Sequence, residues 1–366
     1  MNSPLLYNIA ITLIPGVGDV NAKNLIAYCG SAEAVFKTKK AKLLKIPGVG
    51  EKLVTAITGQ DVLGRAEKEI GFIEKYKINP LFYLDEDYPR RLKHCNDAPV
   101  MLFYKGNANL NAEKVVSIVG TRNVTDYGRD VCEKLVDELA PTGMLLVSGL
   151  ALGVDVCAHR AALKRGLNTV GVLGHGLDRI YPGVNAQTAK KMTAQGGLLT
   201  EFLSGTNPDR ENFPKRNRII AGMSDAVIVI ETRMQGGAMI TAEIANSYNR
   251  DVFAVPGRLT DTWSDGCNWL VKTHKAALLQ SAKDIRYIMG WEEKEKPKMQ
   301  KQQKLFVDLT PEEKAIYDLL QSNGESSIDL LSSKSNLQIS KVASALLNME
   351  FEGVVKQLPG KMYKCI

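Results

Sequence analysis

The sequence lacks the residue patterns that hold most metal ions and disulfide scaffolds. Its six cysteines and four histidines are scattered over 366 residues, with no C-x-x-C pair and no two histidines at a metal-binding spacing. This argues against a zinc knuckle and against a small secreted fold held by disulfides. We therefore predict no metal site and expect the cysteines to be reduced structural thiols.

Long apolar runs are also missing, since none approaches the roughly 20 residues that a membrane-spanning helix requires. The N-terminal segment has no basic region ahead of its apolar stretch and no evident small-residue cleavage site, unlike a secretory signal peptide. These features predict no membrane span, and the expected location is the cytoplasm.

The sequence has a positive net charge: it contains 47 lysines and arginines and 40 aspartates and glutamates, for a formal net charge of +7. Such a balance suits a polyanionic partner without proving one. A length of 366 residues favours two or three domains, and the 45% of hydrophobic residues is sufficient for sizeable cores.

A short repeat marks the first sixty residues, where IPGVG at 14–18 recurs at 46–50. Each copy separates two helical stretches, which resembles the helix-hairpin-helix modules of DNA-binding proteins. Asp19 and Glu51 follow the two hairpins directly, where they would stabilise a helix N-terminus but repel phosphate. Contact with DNA and a purely structural corner therefore both remain open for this region.

The middle of the chain alternates apolar strands with helices, which predicts an α/β fold with a Rossmann-like, doubly wound, mostly parallel sheet. A charged segment then predicts a linker, and the last sixty residues predict a winged helix with its wing around Pro359 and Gly360. The third helix of this tail is polar but barely basic, so protein contact and DNA contact are equally open there. The predicted boundaries are 1–74 for the helical domain, 75–290 for the Rossmann-like domain, 291–307 for the linker and 308–366 for the winged helix.

Glycines follow several predicted strands at their carboxyl ends, where ligands bind to parallel sheets. They lie at Gly120, at Ser148-Gly149 and at Gly236-Gly237, where backbone N–H groups can approach phosphate closely. The first loop lacks G-x-G-x-x-G, no Walker A sequence is present, and no acidic ribose ligand follows the second strand. We therefore predict phosphates of a nucleic acid or nucleotide, and no cofactor.

The segment FPKRNRIIAG at 213–222 concentrates basic residues at the expected start of a helix near residues 217–223. Arginine there opposes the helix dipole, which indicates an anionic partner. Phe213 is suited to stack on a base. The alternative interpretation is a solvated basic turn with Phe213 in the core.

Five ordered motifs together resemble the DprA/Smf family: SIVGTRN at 117–123, SGLALGVDVCAH at 148–159, FPKRNRIIAG at 213–222, GGAMITAEIA at 236–245 and RDVFAVPG at 250–257. The resemblance implies a DNA-binding core that forms a homodimer and is not an enzyme. Such proteins bind incoming single-stranded DNA, protect it from nucleases and help to load the RecA recombinase during natural transformation. The implied partners are therefore single-stranded DNA, RecA and a second copy of the chain.

The resemblance also implies roles for individual residues. Arg122 would hold a phosphate beside the Gly120 turn, the residues from Lys215 to Arg218 would line the path of the strand, and the 236–241 segment would close the pocket. Thr121 stands where the family usually has serine. The residues expected to contact DNA are Gly120, Thr121, Arg122, Ser148, Gly149, Phe213, Lys215, Arg216, Asn217, Arg218, Gly236, Gly237 and Thr241.

The same region is also similar to the LOG-type nucleotide phosphoribohydrolases, in which a glutamate after a glycine loop assists N-glycosidic cleavage. Glu243 follows Gly236-Gly237 here, but Met239 and Ile240 replace the enzymes' Gly-Thr pair and would crowd a ribose pocket. No catalytic residue is therefore predicted, and hydrolysis is the alternative function. A winged-helix transcription regulator is a third hypothesis, with little support from the charge of the tail.

Overall fold

A computed structural model describes residues 4–59, 62–291 and 309–366. The chain forms two compact units, one comprising the residues up to Tyr248 with Val252–Ala282, the other comprising Asn249–Asp251 with Lys283–Ile366. The predicted linker at 291–307 lies, apart from Trp291, outside the described residues. In the described part of the chain, no helix is long and apolar enough to cross a membrane.

The N-terminal part of the first unit is helical, and the two IPGVG copies form its hairpins. Gly16 and Gly48 have φ angles of 81° and 80°, a left-handed conformation that glycine adopts without strain. The isoleucine and valine of each copy are buried in the core of this helical part, so the repeat combines a turn with two core positions. The helices are α1 Pro4–Thr12, α2 Asp19–Cys29, α3 Ala32–Lys37, α4 Lys40–Leu43, α5 Glu51–Gly59 and α6 Leu63–Tyr76.

A mostly parallel sheet forms the rest of the first unit, as predicted. The strands are β1 Asn79–Phe82, β2 Met101–Gly106, β3 Val115–Val119, β4 Leu145–Ser148, β5 Thr169–Val172, β6 Gly196–Thr200, β7 Ala226–Val229, β8 Asp251–Ala254 and β9 Ala277–Leu278. Their order is β1-β2-β6-β5-β4-β3-β7-β8-β9. The pairs from β6 through β5, β4 and β3 to β7 are parallel, whereas β2 pairs antiparallel with β1 and β6. The central strands are buried throughout, because helices cover both faces.

The helices around the sheet are α7 Arg90–Lys93, α8 Asp126–Leu139, α9 Val154–Lys164, α10 Ala186–Ala194, α11 Asn212–Met223, α12 Gly237–Ser247 and α13 Asp265–Lys272; α14 Ala282–Ile288 follows at the start of the second unit. Helix α11 begins five residues earlier than the predicted start at Asn217, so that prediction was wrong. Pro214 lies in the first turn of α11, where its missing N–H has no intrahelical partner to lose. The basic segment is consequently inside the helix and its residues point in different directions.

The second unit contains the predicted winged helix. Its elements are α15 Pro311–Asn323, β10 Ser326–Ser327, α16 Ile328–Ser335, α17 Ile339–Phe351, β11 Val355–Leu358 and β12 Met362–Cys365. Thr310 and Glu313 form the expected capping box at the start of α15. Strands β11 and β12 pair antiparallel with Leu358 opposite Met362, which places the wing where the sequence predicted it.

Candidate nucleic-acid interface

A cleft of about 830 Å³ lies at the carboxyl edge of the parallel strands, next to the ends of β3 and β7 and the N-termini of α11 and α12. The glycine loops predicted to meet at this edge do meet there, because the carboxyl ends of neighbouring parallel strands lie side by side. The predicted residues that line the cleft are Gly120, Thr121, Arg122, Phe213, Arg216, Asn217, Gly236, Gly237 and Thr241.

The loop after β3 is held by backbone contacts on two sides. The Thr121 N–H donates to the Glu231 carbonyl oxygen at 2.7 Å, and the Thr121 carbonyl accepts from the Val154 N–H at 3.1 Å. Gly153 has a φ of 79°, and a Cβ there would lie 2.2 Å from the Thr121 carbonyl oxygen. Only glycine therefore allows the two loops to approach this closely. The result is a fixed backbone from which the exposed Arg122 side chain reaches the cleft.

An aromatic cluster forms one wall of the cleft. The Arg122 guanidinium lies 5.5 Å from the centroid of the Phe213 ring, and the Tyr181 ring centroid lies 6.1 Å from that of Phe213. Phe213 is partly exposed and Tyr181 is exposed. The alternative interpretation, with Phe213 in the core, does not describe its position, since the ring borders an open cleft; stacking on a base stays a prediction.

The N-terminus of α12 forms the opposite wall. Gly236 precedes the helix without a side-chain cap, and the first-turn N–H groups lie at the cleft together with the positive end of the helix dipole. A Cβ on Gly237 would meet nothing within 4 Å, so this face is open to a ligand. Asn217 reaches across from α11, with its amide nitrogen 3.4 Å from the Gly237 carbonyl oxygen.

The charge of the cleft is strongly positive. The arginines that line it are Arg122, Arg210, Arg216 and Arg233. Among the described residues that line the cleft, Asp155 is the only carboxylate. An open surface with this balance attracts phosphates and focuses a polyanion into the groove.

Sequence reasoning missed Arg210, Arg233, Tyr181 and Trp263, all of which line the cleft. The Arg233 guanidinium stacks 3.9 Å from the Trp263 ring centroid, a cation–π contact that fixes its orientation. Arg210 and Arg233 each lie three residues before a predicted motif, at 213–222 and 236–245. Both could have been predicted by including the residues that flank the motifs. Trp263 could not have been predicted from a motif, because only the fold brings its loop to the cleft.

Arg216 differs from the other arginines because it is buried, with 6% of its surface exposed. Its Nη1 donates to the Val172 carbonyl oxygen. Burial lowers the pKa of Arg216, and the nearby Asp155 carboxylate opposes this shift. Burial likewise raises the pKa of Asp155, and Arg216 opposes it. The opposite charges of Arg216 and Asp155 thus partly offset the cost of burying each of them at the cleft.

Comparison with family models identifies the three parts of the chain. A family model for DNA recombination-mediator protein A matches residues 79–290, one for a SAM-like helix-hairpin-helix tandem matches 9–58, and one for the DprA winged helix domain matches 300–361. The chain belongs to the DprA/Smf family.

Relatives in this family cover most of the chain. Protein Smf of Synechocystis is 33% identical over 99% of both chains, and DNA processing protein DprA of Streptococcus pneumoniae is 36% identical over 69% of this chain and 95% of its own. The X-ray structure of the pneumococcal DprA matches with a TM-score of 0.65 and 33% identity, covering 77% of this chain and 97% of that one. A Helicobacter pylori DprA structure, described for its unique single-stranded DNA binding mode, matches with a TM-score of 0.54 and 30% identity over 59% and 96%.

Ser148 and Gly149 belong to a family motif but do not line the cleft. Ser148 is fully buried, and its hydroxyl donates to the Ile118 carbonyl oxygen at 2.5 Å. A Cβ on Gly149 would lie 2.2 Å from Arg216 Nη1 and 2.3 Å from Asp155 Oδ2. These contacts support packing roles that position Arg216, and direct contact of either residue with DNA stays an untested prediction.

Lys215 and Arg218, from the same basic motif, are also absent from the cleft lining. Lys215 is exposed. Arg218 binds three acceptors within the protein: Nη2 lies 3.0 Å from Asp19 Oδ2 and also pairs with the Glu201 carboxylate, and Nη1 donates to the Asp97 carbonyl oxygen. The geometry therefore supports a structural role for Arg218, which links the helical part to the sheet through ion pairs. DNA contact by Lys215 or Arg218 stays a prediction.

Glu201 is unusual among the partners of Arg218. Burial raises its pKa to about 7, although Arg218 opposes the shift. Its Oε1 is buried and lacks a hydrogen-bond partner among the described residues. With a pKa of about 7, the Glu201 carboxyl group gains or loses its proton near neutral pH. Its ion pair with Arg218 is therefore sensitive to pH.

Glu243, the candidate carboxylate of the hydrolase alternative, lies on the surface. Its side chain is 55% exposed, its nearest cation is Lys275 at 3.9 Å, and it does not line the cleft. Met239 is buried and Ile240 projects at the cleft, so apolar side chains occupy the space beside the glycine loop. No observation at this site favours N-glycosidic cleavage.

Proposed function

We propose that the cleft binds single-stranded DNA for processing in uptake and recombination, and that it performs no catalysis. The observation that carries this proposal is the convergence of three exposed arginines, an uncapped helix N-terminus and partly or fully exposed aromatic rings in one open groove with a single buried carboxylate. The single-stranded DNA binding described for the Helicobacter pylori relative supports it.

A single strand fits the cleft better than a duplex because its bases are free to stack on protein rings. Phe213, Tyr181 and Trp263 border the same groove as the arginines. Phosphates would be held by Arg122, Arg210 and Arg233 and by the first-turn N–H groups of α12. Contacts to phosphate and stacking on a ring do not depend on which base is present. We therefore expect binding to single strands of any sequence.

We further propose that the chain works as a homodimer and helps to load the RecA recombinase, as its family membership implies. An exposed apolar groove beside α13 offers a candidate contact face. Leu259 in this groove is 92% exposed, and Met234 and Leu278 are each 44% exposed, which is typical of an interaction surface rather than of a free one. Sedimentation of the full chain, alone and with RecA, tests both partners.

The decisive experiment measures binding of a fluorescent oligo-dT and a matched duplex over a salt series. Wild type should prefer the single strand, and Arg122→Ala should weaken binding and reduce the slope of log K against log salt by about 0.7, the value for one phosphate of a single strand. Arg129→Ala is the matched control, because this exposed arginine on α8 does not line the cleft. Unchanged binding by both Arg122→Ala and Arg210→Ala would contradict the proposed site.

A further inference from the structure

A second basic surface lies on helices α9 and α10, which pack side by side on the sheet. A groove of about 660 Å³, called the α9–α10 groove below, runs between them. None of its lining residues that the structure describes is a carboxylate or carries an aromatic ring. Its polar lining consists of three exposed cations and three side chains with hydrogen-bond donors: Arg160, Lys164, Lys191, Gln187, Thr188 and Gln195.

The positive charge of the α9–α10 groove is not neutralised in the part of the chain that the structure describes. Arg165, which follows Lys164, forms an ion pair with Asp137. By contrast, Arg160, Lys164 and Lys191 form no ion pair with any described carboxylate. Arg160 and Lys164 are four residues apart on α9, a spacing at which like charges repel and destabilise a helix. An anionic ligand in the groove would remove this repulsion.

The helix dipole accounts for only part of this charge. Lys164 and Lys191 lie in the last turns of α9 and α10, where the negative end of the dipole favours a cation. Arg160 lies about one turn earlier, beyond the reach of this effect. Its position is therefore not explained by the stability of its own helix.

Hydrogen bonds fix the two walls of the α9–α10 groove relative to each other. Arg160 Nε on α9 donates to Thr188 Oγ1 on α10 at 3.4 Å. At the far end, Gln195 Nε2 donates to the Leu167 carbonyl oxygen at 2.8 Å and to the Leu163 carbonyl oxygen at 3.3 Å. The groove is therefore formed before a ligand binds, so that ordering its walls adds little to the entropic cost of binding.

The α9–α10 groove shares a border with the cleft. On α9, Asp155 lines the cleft, and Arg160 lines the groove about 7.5 Å further along the helix. In the loop before α10, Tyr181 lines the cleft and Val184 lines the groove. One helix and one loop thus carry side chains to both surfaces. A strand bound in the cleft can therefore continue into the groove.

The lining of the groove determines which part of a strand it can hold. Arg160 and Lys164 are about 6 Å apart along α9, and Lys191 lies on the opposite wall. Positive charges spread along a groove fit a ligand with a negative charge on each repeating unit, as in the phosphate backbone of a nucleic acid. Because no ring among the described lining residues offers a stacking surface, the bases would stay outside.

We propose that the α9–α10 groove binds the sugar–phosphate backbone of a single strand where the strand leaves the cleft. The DNA-binding site is then longer than the cleft, and its two parts differ. Bases and phosphates both contact the cleft, whereas only the backbone contacts the groove. The inference rests on the proposed function, because the cleft has to hold the strand before the groove can extend its path.

The test measures binding of oligo-dT of increasing length, from about 4 to about 20 nucleotides, at several salt concentrations. The groove variant combines Arg160→Gln, Lys164→Gln and Lys191→Gln. It should bind the shortest strands as wild type does, because these fill only the cleft. It should bind long strands at least about tenfold more weakly at low salt, and the slope of log K against log salt should be less steep by about 2, since each phosphate contact of a single strand contributes about 0.7.

The matched control removes the same amount of charge from exposed lysines that line neither the cleft nor the groove. These substitutions are Lys68→Gln, Lys93→Gln and Lys134→Gln. The control variant should bind strands of every length within about twofold of wild type, because salt screens charges that do not contact the strand.

The outcomes separate this inference from the proposed function. If the groove variant binds strands of every length as wild type does, the groove does not hold DNA and its charge serves another acidic partner, which refutes the inference. If it weakens short and long strands equally, the loss is a general effect of charge and the inference is also refuted. If wild type binds no strand of any length, the proposed function itself fails.

Lysine footprinting tests the groove in wild type, without a variant that has to fold. Acetylation of Lys164 and Lys191 by an N-hydroxysuccinimide ester is followed by mass spectrometry, with Lys68 and Lys134 as internal references. A long oligo-dT should protect Lys164 and Lys191, and a strand too short to leave the cleft should protect neither. Equal acetylation of both lysines with and without the long strand would overturn the inference.

Discussion

Replacing Arg218 by alanine should destabilise the protein and leave its DNA contacts largely intact. This arginine is 13% exposed and bridges the carboxylates of Asp19, on the helical part, and Glu201, at the end of β6. Removing one partner from a buried ion pair costs about 3–5 kcal/mol, because the remaining charge loses its compensation.

The expected loss lies at the lower end of this range. Asp19 is 27% exposed, so water partly screens its charge, and Glu201 can take up a proton because burial raises its pKa to about 7. A loss of about 3 kcal/mol lowers the Tm of a unit of this size by about 5 °C, because the entropy of unfolding grows with the number of residues. Thermal unfolding followed by circular dichroism at pH 7.5 measures this shift.

Arg210→Ala is the matched control, since Arg210 is exposed and lines the cleft. It should leave the Tm within about 1 °C and weaken binding of single-stranded DNA. The two variants thus make opposite predictions for stability and binding. An unchanged Tm for Arg218→Ala, together with a loss of affinity like that of Arg122→Ala, would refute the reasoning and restore the DNA role that the sequence predicted for Arg218.

Three further predictions concern pH, a glycine and the hydrolase alternative. Because the folded-state pKa of Glu201 is raised from its ordinary 4.5 to about 7, the stability of wild type should fall as pH rises from about 4.5 to about 7, by up to about 3 kcal/mol, and level off above that; Glu201→Gln should flatten this dependence in urea titrations. Gly153→Ala should lower both the Tm and DNA affinity through its contact with the loop that carries Arg122, whereas Gly143→Ala, with a φ of 66° but nothing near its Cβ, should lower only the Tm. Glu243→Ala should leave DNA binding near normal, and release of bases from nucleoside monophosphates by wild type would contradict the non-enzymatic proposal.

Much of the cleft could be predicted from the sequence because its residues follow parallel strands, and the direction of the strands determines at which edge of the sheet they lie. Glycines that follow parallel strands arrive at one edge of the sheet whatever the order of the strands. The strand–helix alternation was therefore enough to place Gly120 and Gly236 at the same edge. That they line one cleft follows from the pairing of β3 with β7, which the sequence did not predict. The exact partners of each loop, such as Trp263 beside Arg233, depend on the packing of loops without a periodic pattern.

The basic motif shows where sequence reasoning stopped. Treating 215–218 as one patch placed these residues around a helix start near Asn217, whereas all four lie within α11, which begins at Asn212. Successive helical residues turn by about 100°, so four in a row cannot share a face. The members of α11 that line the cleft are Phe213, Pro214, Arg216, Asn217 and Ile220. Apart from Pro214 in the first turn, they follow the i, i+3, i+4, i+7 spacing of one face. A correct helix start at Asn212 would have predicted this division.

The position of each arginine then determines what it can contribute. Arg122, Arg210 and Arg233 are exposed at the cleft, so their attraction for phosphate acts at long range and weakens as salt is added. Arg216 is buried, and moving its charge out of water has a cost that Asp155 only partly offsets. Such a fixed, dehydrated cation is poorly suited to catching DNA but well suited to holding one group in one orientation. The cleft therefore combines a salt-sensitive surface for capture with a buried donor for positioning, and the two arginine classes should differ in how strongly their loss depends on salt.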